Sequence, residues 1–112
     1  MSQTIRVCAG LLLLLGVFSF DPLHAESAEL GRAIFLERAE PPCALCHTLK
    51  DAGATGEIGP DLDELNPDQE RVSNAVKNGV GNMPPFGNVL SEAEIAAVAH
   101  YVATAVNAGK KP

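Results

Sequence analysis

The run Cys43-Ala44-Leu45-Cys46-His47 is the part of this 112-residue chain best equipped for chemistry. Two thiols three residues apart fall on one face of a helical turn, and an imidazole follows at once. That order lets two sulfurs bond the two vinyl groups of one porphyrin while the histidine stands beneath its iron, the pattern of covalent haem attachment. Other chemistries also use Cys-x-x-Cys. A thioredoxin-like dithiol belongs beside a βαβ pattern, and no β-rich segment is visible. A zinc site needs a second pair of ligands, and no further Cys-x-x-Cys or His-x-His follows. A disulfide closing so short a loop stabilises little.

Iron that only carries electrons needs a ligand on each face, and His47 supplies one. Met83 is the only methionine apart from the initiator, and it lies in the polar, Gly/Pro-flanked run Gly81-Asn82-Met83-Pro84-Pro85-Phe86. A methionine used as core filler sits on an apolar helix face, and this one sits on none, which points to thioether ligation. The competitor is His100, at the edge of an apolar helical stripe; a solvated or hydrogen-bonded histidine is the commoner fate there. A backbone carbonyl near Gly59-Pro60 is placed to accept the Nδ1–H of His47 and fix its ring.

The elements that must hold these groups can be read from the rest of the chain. Arg6, the apolar run of residues 7–20 and Leu23-His24-Ala25 form an export leader with cleavage near Ala25. Residues 26–112 are then one small domain, expected in the periplasm with no stable membrane insertion. Without Cys8, which leaves with the leader, Cys43 and Cys46 are the only thiols, so no disulfide can brace the fold. The domain has only Phe35, Phe86 and Tyr101 as aromatics, and a buried porphyrin would supply the missing apolar bulk. Once Arg6 and Asp21 are gone, 13 acids face 7 bases, which argues against nucleic acid as a partner. Glu57, Asp61, Asp63, Glu64, Asp68 and Glu70 form a run that is read as a solvated surface or as a docking patch for a basic partner.

Leu30, Gly31, Ile34 and Phe35 give residues 27–38 the spacing of a half-buried helix, ended by Pro41-Pro42. Gly31 costs ~1 kcal/mol there against Ala, so it is expected where another helix comes close. Residues 50–59 read as a loop. Asn66-Pro67-Asp68-Gln69 reads as a helix start with Asn66 as N-cap, and Gly79 as the left-handed residue ending that helix. Ser91 and Glu94 form a capping box for a last helix whose apolar face is Ile95, Val98, Ala99, Val102 and Val106.

This pattern resembles the class I cytochromes c over the whole of residues 26–112. Gly31-x-x-x-Phe35, Cys43-x-x-Cys46-His47, Gly59-Pro60-x-Leu62, Met83-Pro84 and Tyr101 in the last helix carry the likeness. The resemblance implies an all-α fold of three to four helices around one covalent haem c, with the first and last helices crossing at the glycine. It also implies that iron is bound by His47 and Met83 and that the Pro60 carbonyl holds His47. A narrower likeness lies in residues 43–65 (CALCHTLKDAGATGEIGPDLDEL) and 76–86 (VKNGVGNMPPF), which are similar to cytochrome subunits or partners of bacterial sulfite dehydrogenases. That implies a single-electron carrier, itself no enzyme, with a molybdenum-pterin sulfite dehydrogenase as donor and another cytochrome c or an oxidase as acceptor. The alternative is a haem enzyme or gas-binding module with an open distal site.

Overall fold

The computed structural model describes residues 16–19, 22–108 and 110; most of the leader read over residues 1–25 lies outside them. Helix α1 (Pro22–Ala33) starts five residues before the expected position, because nothing after Pro22 breaks a helix and proline suits its first turn. The chain continues from α1 as a π-helical turn, Ile34–Arg38, in which the Ala39 N–H reaches back five residues to the Ile34 carbonyl at 3.1 Å. Ile34 and Phe35 in that turn are buried.

Gly31 is where α1 meets α5 (Glu92–Ala105). A Cβ on Gly31 would run into the Ala97 carbonyl oxygen and stand 2.5 Å from Tyr101 Cβ. The two helices therefore cross at backbone contact, as their sequence suggested. The capping box opening α5 is also present: Glu94 N–H donates to Ser91 Oγ at 3.1 Å, and Ser91 N–H to Glu94 Oε1 at 3.0 Å. Ile95, Val98, Ala99, Val102 and Val106 are all buried, and the Tyr101 ring meets Phe35 edge-on at 6.2 Å.

Between the crossing helices the chain makes small elements. The single turn α2 (Cys43–Cys46) carries the two thiols. Strands β1 (Thr48–Leu49) and β2 (Ala54–Thr55) pair antiparallel around a tight turn, Lys50–Ala52, that ends in Gly53 at φ +65°. So the first part of the stretch expected as a loop, residues 50–55, is the turn and second strand of a short hairpin, whose Leu49, Ala52 and Ala54 enter the core. A short helix α3 (Leu62–Leu65) follows, and α4 (Gln69–Asn78) packs against α5.

Two expectations at these helix ends are corrected. Asn66 does not cap α4; it adopts the left-handed conformation (φ 49°, ψ 54°) that closes α3, and Asp68 caps α4 by accepting the Arg71 N–H at 2.8 Å. Both residue types serve either task, and α3 uses Asn66 first. Gly79 has φ 73° but ψ 163°, so it leaves α4 extended rather than left-handed. A Cβ there would lie 2.7 Å from the Met83 carbonyl oxygen and 3.0 Å from Pro85 N. Among the described residues no helix is long and apolar enough to cross a membrane.

Candidate haem site

His47 is held by a clamp drawn from the segment just after it. Its Nδ1 lies 2.8 Å from the Pro60 carbonyl oxygen. A carbonyl only accepts, so Nδ1 carries the proton, and in the neutral ring Nε2 keeps the free lone pair. The Gly59 N–H donates to the Cys46 carbonyl at 2.6 Å, and Thr48 Oγ1 donates to the Gly56 carbonyl at 2.9 Å. The clamp needs its glycines. A Cβ on Gly59 would stand 2.6 Å from His47 Cε1, and one on Gly56 would stand 2.6 Å from the Leu45 carbonyl oxygen. Sequence reading placed the carbonyl near Gly59-Pro60 but gave Gly56 no part and Gly59 no steric one. Two glycines within five residues of the candidate carbonyl were the available signal.

Met83 approaches from the opposite side of the sequence. It exchanges both backbone hydrogen bonds with Val80, at 2.9 and 3.1 Å, across a tight turn in which Gly81 takes φ +55°. That turn is pressed against Gly79, whose missing side chain admits it. Cys43, Cys46, His47 and Met83 all line one cavity of about 920 Å³, walled by Phe35, Leu62, Val72, Val76, Phe86 and Val98. A cleft of this size is at the upper end for a single cofactor, roughly 300–1,000 Å³. His100 does not line it; its Nδ1 lies 3.4 Å from Gln69 Oε1. Before haem is attached, burial pushes the Cys43 thiol up to about 11; a backbone hydrogen bond opposes this, and repulsion from Cys46 adds to it.

A protein-family model described as "Cytochrome C oxidase, cbb3-type, subunit III" matches residues 26–102. This chain belongs to the class I cytochromes c. A curated relative, cytochrome c6 of Picosynechococcus sp., is 35% identical over 105 residues, covering 83% of this chain and 86% of the relative. The crystal structure of the c-type cytochrome SorU from Sinorhizobium meliloti matches with a TM-score of 0.71 and 60% identity, covering 73% of this chain and 93% of that one. The cytochrome carries one haem c, bonded through Cys43 and Cys46. The residues present suit that group: an apolar cleft, two thiols on one helical turn, and an imidazole nitrogen and a thioether on the same cavity.

Much of the acidic run has structural work to do. Asp61 Oδ1 accepts the Asp63 and Glu64 N–H groups and so caps α3. Asp63 Oδ2 accepts the Lys50 N–H at 2.8 Å, tying α3 to the β-hairpin turn. With Asp68 capping α4, three of the six acids serve the backbone, as helix-start carboxylates commonly do. A further polar tie escaped sequence reading. Tyr101 Oη donates to Asp51 Oδ2 at 2.7 Å, joining α5 to the turn between β1 and β2.

Proposed function

We propose that this cytochrome c is an exported, periplasmic carrier, with His47 and Met83 as the two residues that would bind its iron. Its donor in this reading is a molybdenum-pterin sulfite dehydrogenase, and its acceptor a second cytochrome c or an oxidase. The single observation that carries the ligand assignment is that His47 and Met83, far apart in sequence, line the same apolar cavity, each on a backbone pinned by its own hydrogen bonds. Haem c, when bound, supplies a one-electron ferric–ferrous couple. The chain's residues set how that couple behaves. The Pro60 carbonyl orients the imidazole and makes Nε2 a stronger donor. The Met83 sulfur is a soft ligand that favours ferrous iron and so raises the potential over a pair of imidazoles. Phe35, Leu62, Val76 and Phe86 keep water from the cleft.

The donor reading is supported by the likeness of residues 43–65 and 76–86 to sulfite dehydrogenase cytochromes. The export reading is supported by the leader pattern of residues 1–25. Met83→Ala tests the ligand set. The variant should keep its covalent haem on a denaturing gel, lose the weak red absorption band of methionine-bound ferric haem, and show a lower potential. An unchanged potential excludes Met83. Rapid carbon monoxide binding by the unaltered ferrous protein would instead favour a gas-binding or catalytic haem with an open face. For the donor, sulfite should reduce the holoprotein when a molybdenum-pterin sulfite dehydrogenase is added and leave it oxidised when the enzyme is omitted.

A further inference from the structure

Three hydrogen bonds join the segment from Gly59 to Asp63 to the segment from Cys46 to Lys50. The Gly59 N–H donates to the Cys46 carbonyl at 2.6 Å, His47 Nδ1–H to the Pro60 carbonyl at 2.8 Å, and the Lys50 N–H to Asp63 Oδ2 at 2.8 Å. Each pair is 13 residues apart in the chain, so the two segments lie side by side in one register. The histidine bond is the middle rung of this ladder. One flanking rung is backbone to backbone; the other is made by a single side chain, that of half-buried Asp63. Only Asp61 and Leu62 stand between Pro60 and Asp63. Leu62 is buried, and Asp61 Oδ1 accepts the Asp63 N–H at 2.9 Å, so the arm that bears the carbonyl is short and held along its length. The turn gripped by Asp63 is fastened on its other side as well, because Asp51 accepts from Tyr101 Oη of α5. Capping of α3 does not account for the Asp63 side chain, since Asp61 already performs it.

We infer that Asp63 is a positioning residue for His47: its carboxylate anchors the far end of the ladder, keeps the Pro60 carbonyl on the Nδ1–H, and so keeps Nε2 a strong donor. The inference rests on His47 as an iron ligand and on nothing about the sixth ligand. Its sign follows from the same geometry. Without the Asp63 rung, the arm from Pro60 moves off the hairpin turn and the bond from Nδ1–H lengthens. A weaker Nε2 donor favours ferric iron less, so the potential rises. Removing the Asp63 charge raises it too, since a nearby anion favours the more positive state of the iron. Asparagine separates the two effects, because its amide oxygen still accepts the Lys50 N–H while the charge is gone.

The test uses the holoprotein and reads two quantities, the midpoint potential and the proton resonance of His47 Nδ1–H in the ferrous state. Asp63→Ala should raise the ferrous-to-ferric ratio at fixed ambient potential by about threefold, less than the net effect of a whole hydrogen bond, and move the Nδ1–H resonance upfield. Asp63→Asn should leave that resonance in place and shift the ratio much less. Glu64→Gln, which removes an exposed charge from the same helix, should also leave the resonance in place. Ser91→Ala weakens the cap of α5 and should change neither reading, although it lowers stability. The inference is overturned if Asp63→Ala moves neither quantity. It is equally overturned if Asp63→Asn or Ser91→Ala moves both as far, since charge alone or lost stability alone would then be the cause. In the ferrous parent, the ring protons of an iron-bound His47 are displaced upfield by the porphyrin. If they are not, the ligand reading fails and this inference with it; if they are, an unmoved Nδ1–H in Asp63→Ala refutes the role of Asp63 alone.

Discussion

Gly31→Ala sets two effects of opposite sign against each other in one methyl group. Alanine is the better helix former, which favours the variant by ~1 kcal/mol. Against this, the new Cβ would overlap the Ala97 carbonyl and stand 2.5 Å from Tyr101 Cβ. Neither neighbour is the end of a flexible side chain, so relief requires α1 and α5 to separate by roughly 1 Å, about the shortfall from ordinary carbon–carbon contact. Such a gap forfeits a quarter to a half of the dispersion attraction along the seam, and overpacking of this kind typically costs about 1–3 kcal/mol. The clash is with fixed atoms, so the upper figure applies, and the net loss is about 2 kcal/mol. For a domain of this size that lowers Tm by roughly 8–16 °C. The assay is thermal unfolding of the ferric holoprotein, followed in the far ultraviolet and in the haem band. Gly53→Ala provides the contrast: its Cβ meets nothing within 4 Å, and its φ of +65° alone should cost about 1–2 kcal/mol. If Gly31→Ala melts at or above the parent temperature, the backbone-contact crossing is refuted.

Gly59→Ala should push the imidazole off the Pro60 carbonyl, shifting the haem spectrum and potential while Cys43 and Cys46 retain the haem; an unaltered spectrum would show that the loop yields instead. Tyr101→Phe removes the bond to Asp51 and should cost about 1 kcal/mol near neutral pH, measured by denaturant titration. Burial first, and then the hydrogen bond and charge of Asp51, hold the Tyr101 phenol above its ordinary range, with Arg32 opposing them. The folded state therefore keeps this proton after the unfolded chain has lost it. Its contribution is complete below the unfolded pKa of about 10 and falls away as pH climbs beyond it. Tyr101→Phe should lack that alkaline loss, and identical slopes for the two proteins would refute the assignment. Ser91→Ala removes the Oγ that accepts the Glu94 N–H, while the Ser91 backbone N–H can still donate to Glu94 Oε1, and should lower stability by about 1 kcal/mol in the same titration.

The terminal helices were legible because periodicity and capping act locally: Leu30 to Phe35, and Ile95 to Val106, declare their faces in sequence. Gly31 was legible for a related reason, since a glycine inside a strong helix needs an external cause. The start of α4 was misplaced because Asn66 and Asp68 are chemically able to do each other's work, and only the preceding α3 decides between them. The hairpin of residues 48–55 was missed because two-residue strands have no period to detect. At the site, the residue types and spacing of Cys43, Cys46 and His47 are written in one pentapeptide. The closeness of Gly56 and Gly59 to that pentapeptide is a tertiary fact, as is the reach of Asp63 to the Lys50 N–H.

His47 and its Pro60 partner are 13 residues apart, whereas Met83 stands 36 residues beyond His47. Closing the longer span costs more chain entropy, by about 0.9 kcal/mol on length alone. The two sides of the cavity therefore differ in how readily they are lost. A partial opening that frees the segment from Gly79 to Leu90 unseats Met83 and leaves the histidine side assembled, while the reverse requires undoing a compact local knot of turns. Mild denaturant or heat should accordingly bare one face of the prosthetic group first, and always the same one.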